Sequence, residues 1–244
     1  MAVRVERNDH VLSVTIDRPE TRNAVDLTTL QEIERVMSDV GDARVIVLSG
    51  APPAFCSGAD LGGVELGEFT ETLLRVLKSF GSSSAITIAA VDGAALGAGT
   101  QLAAACDLRM ATAESRFGVP AAKLGLAVDR WTVARVTIEA GGAVARRMLL
   151  TGEAMTGAEL LGGFVHRLGT VGEAHEWARS SSDLAPLTVR AHKLALESLM
   201  GAGSSSDASA DDVEAARLAA WGSRDADEGR RAFKEKRPPR FHGR

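Results

Sequence analysis

Apolar and polar positions follow two different rhythms along the first half of the chain. Residues 10–19, 43–50 and 84–93 are short runs rich in valine, isoleucine and threonine, which predict β-strands. Residues 25–40 and 67–80 lie between these runs and carry apolar residues at the spacing typical of helices with one buried face. Because strands and helices alternate, we predict an α/β fold in which neighbouring strands run parallel.

From about Arg130 onward, the pattern becomes helical. The predicted helical segments are residues 133–152, 156–163, 171–200, 210–222 and 228–241. Residues 201–210 form the low-complexity stretch GAGSSSDASA, which we interpret as a flexible connection between two helices. The chain therefore has a mixed first part and a helical last part.

Composition and charge exclude several functional classes. The chain has 244 residues, 45% of them hydrophobic and 25% charged, and a formal net charge of −4. An acidic chain without tyrosine offers neither the basic surface nor the stacking side chains of a nucleic-acid-binding protein. No apolar run approaches the roughly 20 residues that cross a bilayer. The first residues have no signal-peptide core, so we expect a cytoplasmic protein.

Metal and thiol chemistry are not indicated either. The five histidines are scattered without ligand spacing, so we predict no metal site. Cys56 and Cys106 lie among small apolar residues, where cysteine is most often a buried hydrophobic side chain. We expect both thiols to be reduced.

Two glycine-rich turns are the strongest candidates for chemistry. Residues 55–61 (FCSGADL) and 96–102 (LGAGTQL) place small residues just before a turn or a helix. Without side-chain bulk, backbone N–H groups approach a ligand oxygen closely, and a helix N-terminus adds unpaired donors. Two donors that converge form an oxyanion hole, where each stabilises developing charge by about 3–4 kcal/mol. Each turn alone is also compatible with an ordinary tight connection.

Nucleotide-binding and nucleophile motifs do not account for these turns. Leu102 occupies the place of the third glycine of a dinucleotide-binding fingerprint, and the chain has no G-K-[ST]. Ser57 is followed directly by glycine, so the first turn is not a nucleophile elbow.

Taken together, in this order and spacing, the two turns resemble the crotonase (enoyl-CoA hydratase/isomerase) superfamily. Further segments resemble the family through nearly the whole chain: residues 16–26, 89–120, 151–160, 163–174 and 232–241. The resemblance implies an α/β fold with a crotonase-like ββα spiral core, which we assign to residues 1–190, and a C-terminal helical trimerisation region, residues 191–244. It also implies a homotrimer, or a hexamer made of two trimers.

The resemblance further implies a coenzyme A thioester as ligand and no other cofactor. Its carbonyl oxygen would lie between the backbone N–H groups of Ala59 and Ala98. The family usually has glycine at the second position, but alanine keeps the N–H. The positions that correspond to the coenzyme A site of the family are Arg22, Ala24, Ser57, Leu61, Phe233 and Lys236.

The same resemblance reveals a loss. Hydratases of this family use two glutamates, which activate water and protonate the α-carbon. The corresponding positions hold Gln101 and Ala121, and neither side chain exchanges a proton. Each proton-transfer role contributes about 10²–10⁴ in rate, so most of what hydration needs is missing. In this respect the chain resembles actinobacterial hydratase-like paralogues that lack both glutamates.

Asp129 lies where hydratases carry a glycine-rich segment, and its position resembles that of the nucleophilic aspartate in the aryl-CoA dehalogenases of the family. Two structural interpretations are simpler: an ion pair with Arg130, or the N-cap of the helix that follows. A binding or gating role and a catalytic role are the alternatives.

We therefore expect an acyl-CoA-binding member of the family, with little or no hydratase activity, that acts in fatty-acid metabolism. The alternative is an active hydratase, isomerase or thioester hydrolase that uses Asp129. A purely structural subunit with a blocked coenzyme A site is a third hypothesis.

Overall fold

A computed structural model describes residues 2–60, 62 and 66–244 of the chain. Its strands are β1 (Val3–Asn8), β2 (Val11–Ile16), β3 (Val45–Gly50), β4 (Ile86–Val91), β5 (Ala94–Leu96), β6 (Leu108–Ala111), β7 (Arg116–Gly118), β8 (Met155–Thr156) and β9 (Arg167–Leu168). Its α-helices are α1 (Leu27–Ser38), α2 (Leu66–Ser82), α3 (Ala98–Ala105), α4 (Arg130–Ala140), α5 (Gly142–Thr151), α6 (Val171–Ser182), α7 (Pro186–Ser198), α8 (Ala210–Trp221) and α9 (Arg224–Glu235).

The strands form two sheets. The larger sheet has the order β1-β2-β3-β4-β6-β9 and is parallel except for the β1–β2 pair. The smaller sheet has the order β5-β7-β8, with β5 parallel to β7 and β7 antiparallel to β8. The predicted α/β class with parallel strand pairs is confirmed.

Both faces of the larger sheet are covered, which explains why β3 is a continuous apolar run. Ile46 and Leu48 face the main core, which they share with residues of α1 and α2. Val45 and Val47 face the opposite side, where a second apolar cluster includes residues of α6. A parallel strand between two layers of helices has no polar face, so its sequence does not alternate.

The predicted elements of the first half are confirmed in β2, β3, β4, α1 and α2. The sequence pattern did not predict strand β1. Its sequence VRVERN is mostly polar and only Val3 is buried, because β1 is an edge strand that pairs with β2 alone. An edge strand presents most of its side chains to solvent, so it lacks an apolar run.

The prediction of a helix over residues 156–163 is wrong. This segment contains the end of β8 and a series of turns. Glu159 Oε2 accepts hydrogen bonds from the backbone N–H of Thr156 at 2.8 Å and from its hydroxyl at 3.0 Å. The same pair of residue types caps α6, at Thr170 and Glu173. Here the turn is not continued into a helix, because Gly162 has a positive φ of +82°. In addition, a side chain at Gly157 would lie 2.3 Å from the carbonyl oxygen of Thr112, so the backbone itself packs here.

The interpretation of residues 201–210 as a flexible connection also needs correction. The stretch begins with a short 3-10 turn at Gly201–Gly203 and packs on α4. Trp131 Nε1 donates to the carbonyl oxygen of Ser204 at 2.9 Å. The serines and glycines therefore allow a close approach to a helix rather than a loose span.

The predicted boundary between residues 190 and 191 falls inside α7. The side chain of Lys193, beyond that boundary, reaches into the first part of the chain, where Nζ donates to the carbonyl oxygens of Phe80 and Ala85 and to Asp107, each at 2.8 Å. The division into a core and a C-terminal region stays a prediction. None of the helices in the described ranges is long and apolar enough to cross a membrane.

Several large apolar side chains on the last helices are exposed in the single chain. Trp221 at the end of α8 is 65% exposed, Phe233 on α9 is 86% exposed and Leu199 after α7 is 82% exposed. Exposed apolar surface of this kind is stabilised when it is buried between subunits.

The exposed surface predicts an oligomer, and the family resemblance implies three or six times the chain mass of 25.5 kDa. The substitution Trp221→Glu places a charge on this surface and is expected to shift the population towards monomer, as measured by light scattering. Val5→Glu, on the exposed side of β1, is the matched control and should leave the mass unchanged. A wild-type protein that is monomeric at micromolar concentration would contradict the prediction.

Candidate functional site

The two glycine-rich turns lie side by side. The N–H of Cys56 donates to the carbonyl oxygen of Ala94 at 2.9 Å, and the N–H of Leu96 donates to the carbonyl oxygen of Cys56 at 2.9 Å. A Cβ atom at Gly99 would lie 2.2 Å from this same carbonyl oxygen. Glycine is therefore required at position 99, because any side chain would separate the turns.

Backbone pairing leaves an N–H unused on each turn. Gly58 accepts from the N–H of Val25, and Asp60 donates to the carbonyl oxygen of Val25, so Ala59 between them turns its N–H to the other side. Ala98 is the first residue of α3, where an N–H has no acceptor within the helix. In the described ranges neither Ala59 nor Ala98 donates a backbone hydrogen bond. The structure brings together the two residues proposed as donors.

Both residues lie on the wall of one cavity of about 530 Å³. The wall is largely apolar and is formed by both turns, by α2, by α3 and by the segment that leads to α4. Its described residues are Ser57, Gly58, Ala59, Gly67, Phe69, Thr70, Leu73, Gly97, Ala98, Gln101, Val119, Pro120, Ala121, Leu124, Leu126, Ala127, Val128 and Asp129. A mostly apolar cavity with a few converging polar groups is typical of a site for a small ligand.

Gln101 and Ala121, which the resemblance places at the expected positions of the two glutamates, line this cavity. Gln101 is 5% exposed, and its Nε2 donates to Thr132 Oγ at 3.1 Å. Ala121 lies in a 3-10 turn, Pro120–Leu124. Asp129 is the only carboxylate among the described residues of the wall. At these two positions the wall carries an amide and a methyl group. Their correspondence to the two glutamates stays a prediction.

Asp129 is the N-cap of α4. Its Oδ1 accepts from the backbone N–H of Thr132 at 3.0 Å, and its Oδ2 accepts from the hydroxyl of Thr132 at 2.7 Å. The prediction of a helix cap is confirmed, whereas an ion pair with Arg130 does not occur among the described residues. Because Asp129 also lines the cavity, its binding, gating and catalytic roles stay predictions.

Three residues of the expected coenzyme A site lie beside the first turn. The N–H of Ser57 donates to the carbonyl oxygen of Arg22 at 3.1 Å, and Ser57 Oγ donates to the carbonyl oxygen of Thr21 at 3.1 Å. The side chain of Arg22 is exposed, and Ala24 is half-buried. Arg22 and Ala24 therefore lie next to the cavity wall, of which Ser57 is a residue. The assignment of Arg22, Ala24 and Ser57 to coenzyme A binding stays a prediction.

The other expected positions are not brought to the cavity within one chain. Phe233 and Lys236 lie on α9 and at its end, and neither is a residue of the cavity wall. Leu61 lies outside the described residues. The assignment of these three residues to coenzyme A binding stays a prediction.

Arg18 and Thr132 contribute to the site but escaped sequence analysis. Arg18 Nη2 lies 3.0 Å from Asp26, the N-cap of α1, and 3.3 Å from Asp60 in the first turn. It therefore ties this turn to the start of α1. The sequence did not single out Thr132, because a threonine in the first turn of a helix resembles any other helical residue. One sequence feature does indicate a role for Thr132. It lies three residues after Asp129, and an N-cap side chain accepts a hydrogen bond from the N–H at that position.

The two thiols and the possible metal-ligating side chains were located in the described residues. The described residues contain no group of three or more histidine, cysteine, aspartate or glutamate side chains that could hold a metal ion. Cys56, in the first turn, and Cys106, at the end of α3, are both fully buried. Burial raises the pKa of each thiol to about 12, so neither forms a thiolate readily.

We expect both thiols to resist alkylation in the folded protein. A pKa of about 12 leaves a thiolate population about 10³-fold below that of free cysteine, whose pKa is about 8.5. Titration with a thiol reagent should therefore detect two cysteines after denaturation and almost none before it. Rapid labelling of the native protein would contradict the burial of both groups.

The chain is similar to known proteins over nearly its whole length. The family model described as enoyl-CoA hydratase/isomerase matches residues 6–244. The probable enoyl-CoA hydratase echA6 of Mycobacterium tuberculosis is 35% identical over 249 residues, which cover 99% of this chain and 99% of that protein. The mitochondrial methylglutaconyl-CoA hydratase of Mus musculus is 30% identical, over 98% of this chain and 81% of that protein.

A solved structure has the same architecture. The crystal structure of an enoyl-CoA hydratase from Bacillus anthracis superimposes with a TM-score of 0.88 at 25% identity, over 100% of both chains. The crotonase fold expected from the two turns is therefore confirmed. With a family model that spans nearly all of its residues, the chain belongs to the enoyl-CoA hydratase/isomerase family.

Proposed function

We propose that this protein binds acyl-CoA thioesters and has little or no hydratase activity. The carbonyl oxygen of the thioester accepts hydrogen bonds from the N–H groups of Ala59 and Ala98, and the acyl chain occupies the apolar cavity. The support for binding is the pair of N–H groups on adjacent turns that have no acceptor among the described residues. Membership of a family whose relatives are named as CoA hydratases supports the choice of ligand.

One observation supports the proposed lack of hydration, namely that the cavity wall carries the amide of Gln101 and the methyl group of Ala121 at the positions expected for the two glutamates. An amide positions a water molecule but does not remove its proton. Ala121 supplies no group to protonate carbon. Two missing proton-transfer roles correspond to about 5–11 kcal/mol of barrier lowering if the roles act independently.

A second candidate function is supported by Asp129. Its carboxylate lies on the cavity wall and is at hand for an isomerisation or a thioester hydrolysis. However, both of its oxygens accept hydrogen bonds from Thr132. We therefore place this candidate second. Any thioester turnover that Asp129→Asn abolishes, with binding retained, would make it the first.

Three further parts of the proposal concern the setting of this activity. We propose a role in fatty-acid metabolism, a homotrimer or a hexamer of two trimers, and a cytoplasmic location. In such an assembly Phe233 and Lys236 would close the coenzyme A site. They are exposed in the single chain, as residues that meet a ligand or a neighbouring subunit would be.

We expect wild-type protein to hydrate crotonyl-CoA far more slowly than the double variant Gln101→Glu with Ala121→Glu. The two carboxylates restore groups that hold and transfer protons, and each role is worth about 10²–10⁴ in rate. The measurement is the loss of enoyl absorbance in a continuous assay. Each single variant serves as a control and should gain less. Wild-type turnover within about tenfold of the double variant would show that another group transfers the proton.

Removal of one proposed donor should weaken acyl-CoA binding. Ala98→Pro deletes the N–H at the first position of α3, where proline is well tolerated. Loss of one hydrogen bond, worth about 0.5–1.5 kcal/mol, should raise the Kd by roughly tenfold or less. Ala98→Gly keeps the N–H and is the matched control. Calorimetry gives the Kd, and a thermal unfolding midpoint verifies that the variant is folded.

A wild-type protein that shows no saturable binding of acyl-CoA at millimolar concentration would overturn the proposal. Equal affinities of Ala98→Pro and Ala98→Gly would show that this N–H does not touch the ligand.

A further inference from the structure

Five arginine side chains surround one open cavity near the end of the chain. The cavity has a volume of about 690 Å³ and is lined by α9 and by the segment of residues 237–244 that follows it. Its described wall consists of Arg224, Asp225, Glu228, Arg231, Arg237, Pro238, Arg240, His242 and Arg244. The wall therefore carries five guanidinium groups and two side-chain carboxylates, in a chain whose formal net charge is −4.

The two carboxylates hold the segment 237–244 against the helix. Asp225 Oδ1 accepts from the N–H of His242, and Asp225 Oδ2 accepts from the N–H of Gly243, both at 2.7 Å. Glu228 Oε1 accepts from the N–H of Arg240 at 3.1 Å. The segment thus turns back along α9, which places its arginines beside those of the helix.

The carboxylates of the wall do not neutralise all of its arginines. Glu228 pairs with Arg231 at 2.8 Å and with Arg237 at 2.6 Å. Three guanidinium groups have neither an ion pair nor a hydrogen bond in the described part of the chain, namely those of Arg224, Arg240 and Arg244. Cations that line one concave surface raise its local potential and attract an anion.

We propose that this cavity binds a short phosphate chain of two or three linked phosphate groups, either free or as part of a nucleotide. Guanidinium groups match phosphate oxygens in a bidentate geometry and keep their charge. Three cations without a partner exceed what one phosphate group neutralises with its charge of about −1.5 to −2 at pH 7. His242 is the only aromatic residue of the described wall, so the phosphate chain, rather than a base, is recognised.

The phosphate cavity is separate from the proposed acyl-CoA site. Arg224, Glu228 and Arg231 are spaced i, i+4 and i+7 on α9, so they share one face. Phe233 follows Arg231 by two residues, about 200° around the helix, and lies on the other face. Neither Phe233 nor Lys236 is a residue of this wall, and no described residue lines both cavities. The inference therefore goes beyond the proposed function and does not rest on it.

The experiment measures the binding of inorganic triphosphate by calorimetry at low and at high salt. Wild-type protein should bind it saturably, and the affinity should fall as salt rises, because salt screens exposed charges. Orthophosphate should bind more weakly, because it meets fewer of the guanidinium groups. ATP should bind with an affinity similar to that of triphosphate. A much higher affinity for ATP would identify a nucleotide as the source of the phosphate chain.

Two variants and a matched control assign the binding to the cavity. Arg224→Gln and Arg240→Gln each remove one guanidinium group and should raise the Kd of triphosphate roughly threefold to tenfold. Arg230→Gln removes the same charge from the same helix, but Arg230 lines a different groove, so the Kd should change little. All three side chains are exposed, and a thermal unfolding midpoint verifies that each variant is folded.

Three results would overturn the inference. The first is a wild-type protein without saturable triphosphate binding at millimolar concentration. The second is an equal effect of Arg240→Gln and Arg230→Gln. The third is a higher Kd of decanoyl-CoA when triphosphate is present at matched ionic strength, because the arginines would then belong to the coenzyme A site. If triphosphate binds and decanoyl-CoA does not, the proposed function fails and the inference stands.

Discussion

The position of α3 depends on two buried guanidinium groups at its C-terminal end. Arg109 and Arg135 donate to backbone carbonyl oxygens at the last turn of this helix and just after it. These carbonyl oxygens accept no hydrogen bond within the helix, and they carry the partial negative charge of its C-terminal end. Glu139 and Glu197 in turn pair with the two arginines, so the buried charges are balanced. One end of α3 is closed by cations of the protein, while the other end presents its free N–H to the cavity.

The contact between Arg135 and α3 also positions the side of the cavity that lies opposite the N–H of Ala98. Arg135 lies one turn after Thr132 on α4, so its bond to α3 fixes how these two helices meet. Thr132 then reaches Gln101 and connects it to Asp129. The amide of Gln101 is thus part of the packing between α3 and α4. A side chain that serves both the packing and the cavity holds its polar atoms in one arrangement.

Local sequence patterns predicted much of this structure. The rest depends on contacts between residues that are distant in sequence. The strands with buried runs, the helices with one apolar face and the two glycine-rich turns were predictable, because each is determined by residues close in sequence. The edge strand β1 and the turns at residues 156–163 were not, because burial and backbone contacts decide them. The sequence identified Gln101 as unusual, but its partner Thr132 lies 31 residues away. The orientation of a side chain therefore emerged only from the packing of α3 against α4.

Lys193 has a consequence for how the chain unfolds. Its ammonium group is buried between two carbonyl oxygens and Asp107, although it belongs to α7, near the start of the helical region. Truncation before α7 would remove this cation, so Asp107 would lose its ion pair with Lys193 and keep the bonds that it accepts from Thr87. Removing one partner of a largely buried ion pair is destabilising. Helix α7 and the helices that follow it are therefore required for the stability of the first part of the chain. The sheet and the last helices are expected to denature in a single cooperative transition.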